Sequence, residues 1–135
     1  MRAGAPTFQV YQFGSAGSRS TVWWRLVSPN GRGLARTVAP HPSIEATYAS
    51  IECVRQAVNE LEPSLRLTDR SRWRWTLSLN GVPIVESLSD LDRRVRCELA
   101  WRSFVACAPS AATDPTVHTY VVRQSAGICA SRPDE

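Results

Sequence analysis

The segment RWRWTLSLNG, residues 72–81, alternates polar with apolar side chains and ends in an Asn-Gly pair. Its apolar members would all point to one side of an extended strand: Trp73, Trp75, Leu77 and Leu79. This period of two predicts a strand with one buried face and one wet face, and the wet face would carry Arg72 and Arg74. Asn and Gly both tolerate positive φ, so the pair predicts a tight hairpin.

The same pattern occurs earlier in the chain, which indicates an internal duplication. Sliding the sequence by fifty positions places Asn30-Gly31 on Asn80-Gly81. Downstream of these pairs, Ile51 aligns with Trp101, and Val54 with Phe104. Upstream, with one extra residue, Val22, Trp24 and Leu26 align with Trp73, Trp75 and Leu77. A bulge absorbs one residue easily, so we predict two divergent copies, about 8–62 and 63–123.

Each copy has the same order of elements after its hairpin strand. A short returning strand is predicted over 33–38 and again over 83–88. Helical spacing of apolar residues then predicts helices over about 44–58 and 91–107, with Ser89-Asp90 as a cap for the second. Extended segments follow at 65–68 and 117–123, and an opening strand lies at 8–11. Residues 1–7 and 124–135 are expected to be flexible tails of one domain, residues 8–123.

These elements predict an α+β fold built from two tandem β3-α units. One copy alone would leave one face of its sheet thinly covered. Two copies can join their edge strands into one antiparallel sheet with both helices on one face. This arrangement buries the tryptophan-containing face of the strands and leaves fewer unpaired edge strands. The opposite face of the sheet would then be wet, as the alternation of polar residues requires.

The order of these motifs resembles that of the YegP-like family of small bacterial domains. The resemblance covers roughly residues 8–108 and is carried in the first copy by Phe8-Gln9-Val10-Tyr11, Trp24-Arg25-Leu26, Asn30-Gly31, Leu34-Ala35, Ile51 and Val54. It implies two β3-α units in one sheet, with the strand after each helix exchanged between the units. The family has no established activity, cofactor or catalytic residues. This chain differs in having arginine where lysine is expected, and in a longer link between Val38 and Ser43.

Composition indicates an ordinary globular domain. The chain has 135 residues, of which 43% are hydrophobic, and a formal net charge of +4. All 16 basic residues are arginine, which reflects either the base composition of the genome or selection for bidentate anion donors. No apolar run approaches the roughly 18 residues of a membrane span, and the N-terminus does not look like a signal peptide. We therefore expect a cytoplasmic protein, with no membrane partner and with reduced cysteines.

The sequence offers no set of residues typical of an enzyme. His41 and His118 are far apart and away from any cysteine pair, so no metal site and no cofactor are predicted. Asp90 and Asp92 flank a predicted helix start, where carboxylates favour the helix dipole. No phosphate-binding glycine motif is present. We predict a protein that is not an enzyme.

A basic sheet face is the strongest functional signal. Eight arginines and five carboxylates lie between residues 66 and 102, so this segment carries most of the net charge. The predicted contacts on the wet face are Trp23, Arg25, Arg72 and Arg74. For Trp23 an alternative is open, in which the register slips at this residue and Trp24 packs at the sheet edge. The leading hypothesis is a binding or accessory module for a protein or another anionic partner. The alternative is sequence-independent nucleic-acid binding through the arginine cluster. A monomer is favoured, and a strand-exchanged dimer is the alternative.

Overall fold

Seven strands and two helices follow one another in the computed structural model, which describes residues 5–14 and 21–121. They are β1 Thr7–Gly14, β2 Thr21–Val27, β3 Gly33–Thr37, α1 Ile44–Ala57, β4 Glu62–Leu67, β5 Trp73–Leu79, β6 Val82–Ser87, α2 Arg94–Cys107 and β7 Ala112–Val121. Each helix runs into a short 3₁₀ turn before the next strand begins. The elements agree in type and order with those predicted, which gives the α+β class.

The seven strands form one sheet in the order β4-β5-β6-β3-β2-β1-β7. Every neighbouring pair is antiparallel except β1 and β7, which run parallel. The prediction of an antiparallel sheet is therefore wrong at this edge, and the sheet is mixed. The reason is that α2 carries the chain from β6 to the far edge of the sheet, where β7 enters beside β1 and runs in the same direction.

The two hairpin turns differ in length, as the one-residue offset between the halves requires. Between β5 and β6, Asn80 has φ 52° and Gly81 has φ 81°, the positive values that a two-residue hairpin turn needs. Between β2 and β3 the turn is wider. There the Ser28 N–H donates to the Arg32 carbonyl at 2.8 Å, and only Gly31 has positive φ, 86°.

The hydrophobic core lies between one face of the sheet and the two helices. Cross-strand pairing places Phe8 beside Leu26 and Val10 beside Trp24, so these side chains share a face. The core also includes Ile51 and Val54 of α1, Cys97 and Phe104 of α2, and Trp75, Leu77 and Val85, and all of these residues are at most 2% exposed. The apolar row of residues 72–81 is thus sheltered by the helices, as predicted, and the opposite sheet face is left uncovered.

The two helices begin differently. In α1 the Ser43 hydroxyl oxygen accepts a hydrogen bond from the Ala46 N–H at 3.0 Å, an N-terminal cap. The predicted cap of the second helix at Ser89-Asp90 is wrong, because α2 starts only at Arg94. Leu91 and Trp73 exchange two backbone hydrogen bonds, 2.7 and 2.8 Å long, which hold the intervening chain against the sheet.

Arg55 of α1 anchors the start of β7 beside β1. Its guanidinium carbon lies 5.0 Å from the centroid of the Phe8 ring, a cation–π contact. The same guanidinium donates hydrogen bonds to the Ala111 carbonyl and to the Thr113 hydroxyl. These contacts hold the chain that leaves α2 against β1, where it continues as the parallel edge strand.

Residues 1–4 of the first predicted tail and the whole of the second, 124–135, lie outside the described residues, as does the end of the last predicted strand, 122–123. Thr7 belongs to β1, one residue earlier than the predicted start of the domain. The proposed boundary between repeats, residue 63, falls inside β4. In the described part of the chain, neither helix is long and apolar enough to span a membrane.

Candidate functional site

An open groove lies on the sheet face that the helices leave uncovered. Side chains alternate along a strand, so the neighbours of buried Val10 and Trp24 point to the other face. Pairing sets Tyr11 beside Trp23 on that face. The groove has a volume of about 530 Å³ and is lined by Tyr11, Phe13, Thr21, Trp23, Arg25, Arg36 and Tyr120. Strands β1, β2, β3 and β7 each contribute at least one of these residues.

Aromatic rings make up much of the groove wall. Phe13 and Tyr120 are stacked, with ring centroids 5.5 Å apart and planes 30° apart. Tyr11 meets Phe13 edge to face at 5.6 Å. Phe13 is 39% exposed and Tyr120 45% exposed, whereas Tyr11 is only 8% exposed. Adjacent aromatic side chains left open to solvent are typical of a contact surface.

Two arginines complete the groove. The Arg25 guanidinium carbon lies 5.3 Å from the centroid of the Tyr11 ring, and that of Arg36 lies 5.6 Å from the centroid of the Trp23 ring. Both distances fit cation–π contacts. Arg36 also pairs with Glu86, with 2.8 Å between Nε and Oε2. Among the described residues no salt bridge joins Arg25 to a carboxylate, and its Nε–H donates to the neutral Gln9 side chain at 3.1 Å.

The electrostatics of the groove follow from these contacts. Burial raises the pKa of Tyr11 above its usual value of 10.0, although the positive charges of Arg36 and Arg25 and a hydrogen bond from Arg36 oppose that shift. The phenol therefore stays neutral at physiological pH. With Arg36 neutralised by Glu86, the remaining charge at the groove is that of Arg25, so the site favours an anionic group.

The structure brings together two of the four residues predicted as contacts. Trp23 and Arg25 line the groove. Arg74 lies in β5 and Arg72 lies directly before it, and β6 and β3 separate β5 from β2. Arg74 donates to the Ser87 carbonyl at 2.8 Å and lies 3.4 Å from the Asp90 carboxylate. Arg72 donates to the Asp90 carbonyl at 3.1 Å. These two guanidinium groups bind the segment between β6 and α2.

The arginine cluster of residues 66–102 does not form a single stripe. Its members are distributed over β4, β5, α2 and the chain between them, and α2 covers the face opposite the groove. On α2, Arg96 lies 3.4 Å from the Asp92 carboxylate and Arg102 lies 3.4 Å from that of Glu98. Several of the cluster's charges are thus matched locally by carboxylates.

Sequence reasoning did not identify Tyr11, Phe13, Arg36 and Tyr120 as groove residues. The alternation of β1 gives the side of the sheet on which Tyr11 and Phe13 lie. It does not show that β7 pairs with β1 and sets Tyr120 beside Phe13. Arg36 enters the groove because it lies directly opposite Arg25 in the β2–β3 pair.

Other polar groups lie outside the groove. His118 Nε2 is 3.6 Å from the Asp114 carboxylate on β7, and neither residue lines the groove. A hydrogen bond from the Thr116 backbone is the main cause that lowers the pKa of Asp114. Over residues 5–14 and 21–121, no group of three or more His, Cys, Asp or Glu side chains is placed to hold a metal ion.

The fold matches two solved structures. The solution structure of YegP from E. coli, a protein of unknown function, aligns with a TM-score of 0.61 and 14% identity, covering 92% of this chain and 100% of that chain. The solution structure of a UPF0339 protein from Shewanella oneidensis aligns with a TM-score of 0.58 and 10% identity, covering 87% and 94%. The resemblance to YegP-like proteins predicted from the sequence is confirmed at the level of the fold.

Comparisons of the sequence alone give no further relative. No family model and no curated protein matches the chain. At 14% and 10% identity, the two structural matches establish a shared architecture, and any function has to be argued from the groove.

Proposed function

We propose that this chain, which has the fold of the YegP-like proteins, is a non-enzymatic binding module that acts through the helix-free face of its sheet. The contact site is the groove around Trp23 and Arg25. One observation carries the proposal: Arg25 lies in an open, aromatic-walled groove and has no carboxylate partner among the described residues. The partner is expected to bring an anionic group to Arg25 and an apolar or planar surface to the rings.

The arrangement of charge supports this proposal. Arg25 and Arg36 lie directly opposite each other on neighbouring strands. Like charges in that relation destabilise a sheet by roughly 0.2–1 kcal/mol relative to small neutral residues. Glu86 offsets the charge of Arg36 but leaves that of Arg25. An anion bound at Arg25 would offset the repulsion between Arg25 and Arg36, so binding of the anion would also stabilise the fold.

The non-enzymatic part of the proposal is supported by the chemistry of the groove lining. The lining residues are aromatic side chains, one threonine and two arginines. A general base is usually a histidine or a carboxylate. Burial raises the pKa of the Tyr11 phenol, so this group stays protonated at neutral pH and is not free to accept a proton. The groove is therefore better suited to holding a partner than to transferring its protons.

The proposal includes a two-unit organisation within one chain. It is supported by helices that begin at Ile44 and Arg94, fifty residues apart. A second correspondence is the pair of isolated bridges, Val22 with His41 and Trp73 with Leu91. If each post-helix strand is assigned to the unit of the helix that it follows, β4 of the first unit pairs with β5 of the second, and β7 of the second unit pairs with β1 of the first, which supports an exchange of strands between units.

A monomer in the cytoplasm is the setting that we propose for this module. The halves meet within one chain through the antiparallel pair of β3 and β6, so no second copy is needed to complete the sheet. Three cysteines of the described residues, Cys53, Cys97 and Cys107, are free thiols. Reduced thiols are the usual state of cytosolic proteins.

The test is a binding survey by NMR with four anionic probes: hexaglutamate, a sulfated oligosaccharide, a single-stranded oligonucleotide and a duplex. We expect at least one probe to shift the backbone amides of Tyr11, Trp23 and Arg25, and Arg25→Gln to weaken that probe by about tenfold, the usual loss for one charge-assisted contact. Arg70→Gln, in the exposed turn before β5, is the control for the same change of charge. Absence of groove shifts with all four probes would contradict the proposal, as would equal losses in both variants.

A further inference from the structure

We propose that the partner of this groove is single-stranded nucleic acid, with unpaired bases stacked on its rings and the adjoining phosphate held by Arg25. This inference rests on the proposed function and names the class of its ligand. It differs from the sequence-based hypothesis in the place of binding, because the groove lies on β1, β2, β3 and β7 and the arginine cluster of residues 66–102 lies elsewhere.

The kind of side chain in the groove favours nucleobases. Every base has a π-face, and aromatic residues on an open sheet are a common platform for unpaired bases. Phe13 and Tyr120 already stack on each other and remain 39% and 45% exposed. Trp23 lies beside them in the same groove. An acidic peptide would satisfy the arginine and leave these rings without a planar partner.

The position of the positive charge fits a backbone phosphate. The Arg25 guanidinium carbon lies 5.3 Å from the centroid of the Tyr11 ring, so the positive charge is directly beside an aromatic side chain of the groove. A nucleotide has the same juxtaposition of a planar base and a phosphate. The hydrogen bond to Gln9 uses only one of the five guanidinium N–H groups, and phosphate is a preferred bidentate acceptor for arginine.

The shape of the groove fits a polymer better than a small molecule. It is an open groove of about 530 Å³ on the face of a sheet, so a strand can enter and leave it along the surface. Stacking on protein rings requires bases that are not already paired within a duplex. Contacts to ring faces and to a phosphate carry little sequence information, so we expect only weak sequence preference.

The experiment measures binding of a fluorescently labelled single strand of twelve thymidine nucleotides by fluorescence polarisation at two salt concentrations. We expect binding that weakens as salt rises, since phosphate contacts release counterions. Tyr120→Leu should weaken binding by about fivefold or more, which is the usual effect of removing one stacking ring. Tyr120→Phe keeps the ring and should bind as the unmodified protein does. Arg25→Gln should weaken binding by about tenfold and reduce its salt dependence, while Arg70→Gln leaves both close to their original values.

Competition with unlabelled duplex, thymidine monophosphate and hexaglutamate decides the ligand class. The proposal is supported if each of these competes at least about tenfold more weakly than the unlabelled single strand. It is overturned if any of them competes equally well, or if Tyr120→Phe loses as much affinity as Tyr120→Leu. Arg25-dependent binding of hexaglutamate alone would overturn this inference and leave the proposed binding module standing, whereas no binding of any probe would remove both. Thermal denaturation of each variant verifies that it is folded.

Discussion

Arg25 and Arg36 face each other across the β2–β3 pair, and the two guanidinium groups have different partners. Arg36 lies 2.8 Å from Glu86 of β6 and 5.6 Å from the Trp23 ring. Arg25 instead bonds to Gln9 and lies over Tyr11. Glu86 thus pairs with only one of the two adjacent cations, and the groove is left with the positive charge of Arg25, which has no carboxylate partner among the described residues.

Removal of that carboxylate should shift the balance between stability and binding. Glu86→Gln leaves Arg25 and Arg36 facing each other without compensation, so we expect the free energy of unfolding to fall by about 1 kcal/mol. We expect anion affinity to rise several-fold because a second guanidinium becomes available. Urea denaturation and polarisation titration measure the two effects. Glu62→Gln, at the exposed start of β4, is the control and should change neither quantity. Weaker anion binding in Glu86→Gln would contradict the role given to this carboxylate.

Arg72 and Arg74 should matter for stability and not for the groove. Their guanidinium groups bond to the carbonyls of Asp90 and Ser87, which fasten the segment before α2 to β5. The double change Arg72→Gln with Arg74→Gln should lower the free energy of unfolding by about 1–2 kcal/mol, since hydrogen bonds from charged groups are lost. Binding at the groove should be unchanged.

The matched control for that experiment is Arg32→Gln with Arg70→Gln, which removes the same charge from two exposed positions outside the strands. Chemical denaturation should show a larger loss for the first pair than for the control pair. If the Arg72 and Arg74 variant stays folded but binds the ligand much more weakly, these two residues contact the ligand and the prediction is contradicted.

A buried indole offers a way to stabilise the protein. Trp24 Nε1 donates to the Ser50 hydroxyl at 2.9 Å, whereas Trp75 Nε1 is buried and has no hydrogen-bond partner within residues 5–14 and 21–121. Ala100, fifty positions after Ser50, lines a cavity of about 110 Å³ together with Trp75. Ala100→Ser should supply the missing acceptor and add about 1 kcal/mol to the free energy of unfolding, less a few tenths for helix propensity.

Two further variants make that comparison specific. Ser50→Ala should cost about 1–2 kcal/mol, because it leaves the buried Trp24 N–H without its acceptor. Ala106→Ser places the same substitution on the exposed side of α2 and should be neutral or slightly destabilising. Thermal denaturation compares all three with the unmodified protein. An Ala100→Ser variant no more stable than Ala106→Ser would refute the assignment of the unpartnered indole.

His41 should make the stability of the fold depend on pH. Burial lowers the pKa of His41 below its usual value of 6.5. The Thr37 hydroxyl donates to the Ala39 carbonyl, so its oxygen is left to accept from His41 Nε2 at 3.2 Å. The unfolded chain therefore binds a proton more readily than the folded chain in the range below 6.5.

The stabilising contribution of neutral His41 is then complete above pH 6.5 and is lost as the pH falls from 6.5 to the folded-state pKa. The urea concentration at the midpoint of unfolding, measured at pH 7.5 and at pH 5, reports this loss of stability. His41→Gln should reduce the difference between the two midpoints, and His118→Gln should leave the contribution of His41 in place. An NMR titration that places the pKa of His41 above 6.5 would reverse the sign and contradict the prediction.

Local periodicity determined much of this protein. The alternation around Trp75 and Leu77 predicted which side of β5 is buried, and the Asn-Gly pairs predicted where the chain turns. Both signals act over a few residues, because side chains alternate along a strand and Asn and Gly tolerate positive φ. For the same reason, the outward direction of Trp23 and Arg25 could be predicted from their own strand.

The tertiary structure decided which separate segments meet. The parallel pairing of β1 with β7 sets Phe13 beside Tyr120, from opposite ends of the chain, and the start of α2 is fixed by the bonds between Leu91 and Trp73. The groove around Arg25 also needs Arg36, which β3 brings directly opposite Arg25. A repeating pattern gives the face on which a side chain lies, but its neighbours across the sheet depend on strand order and register, which packing of the helices and the whole core selects.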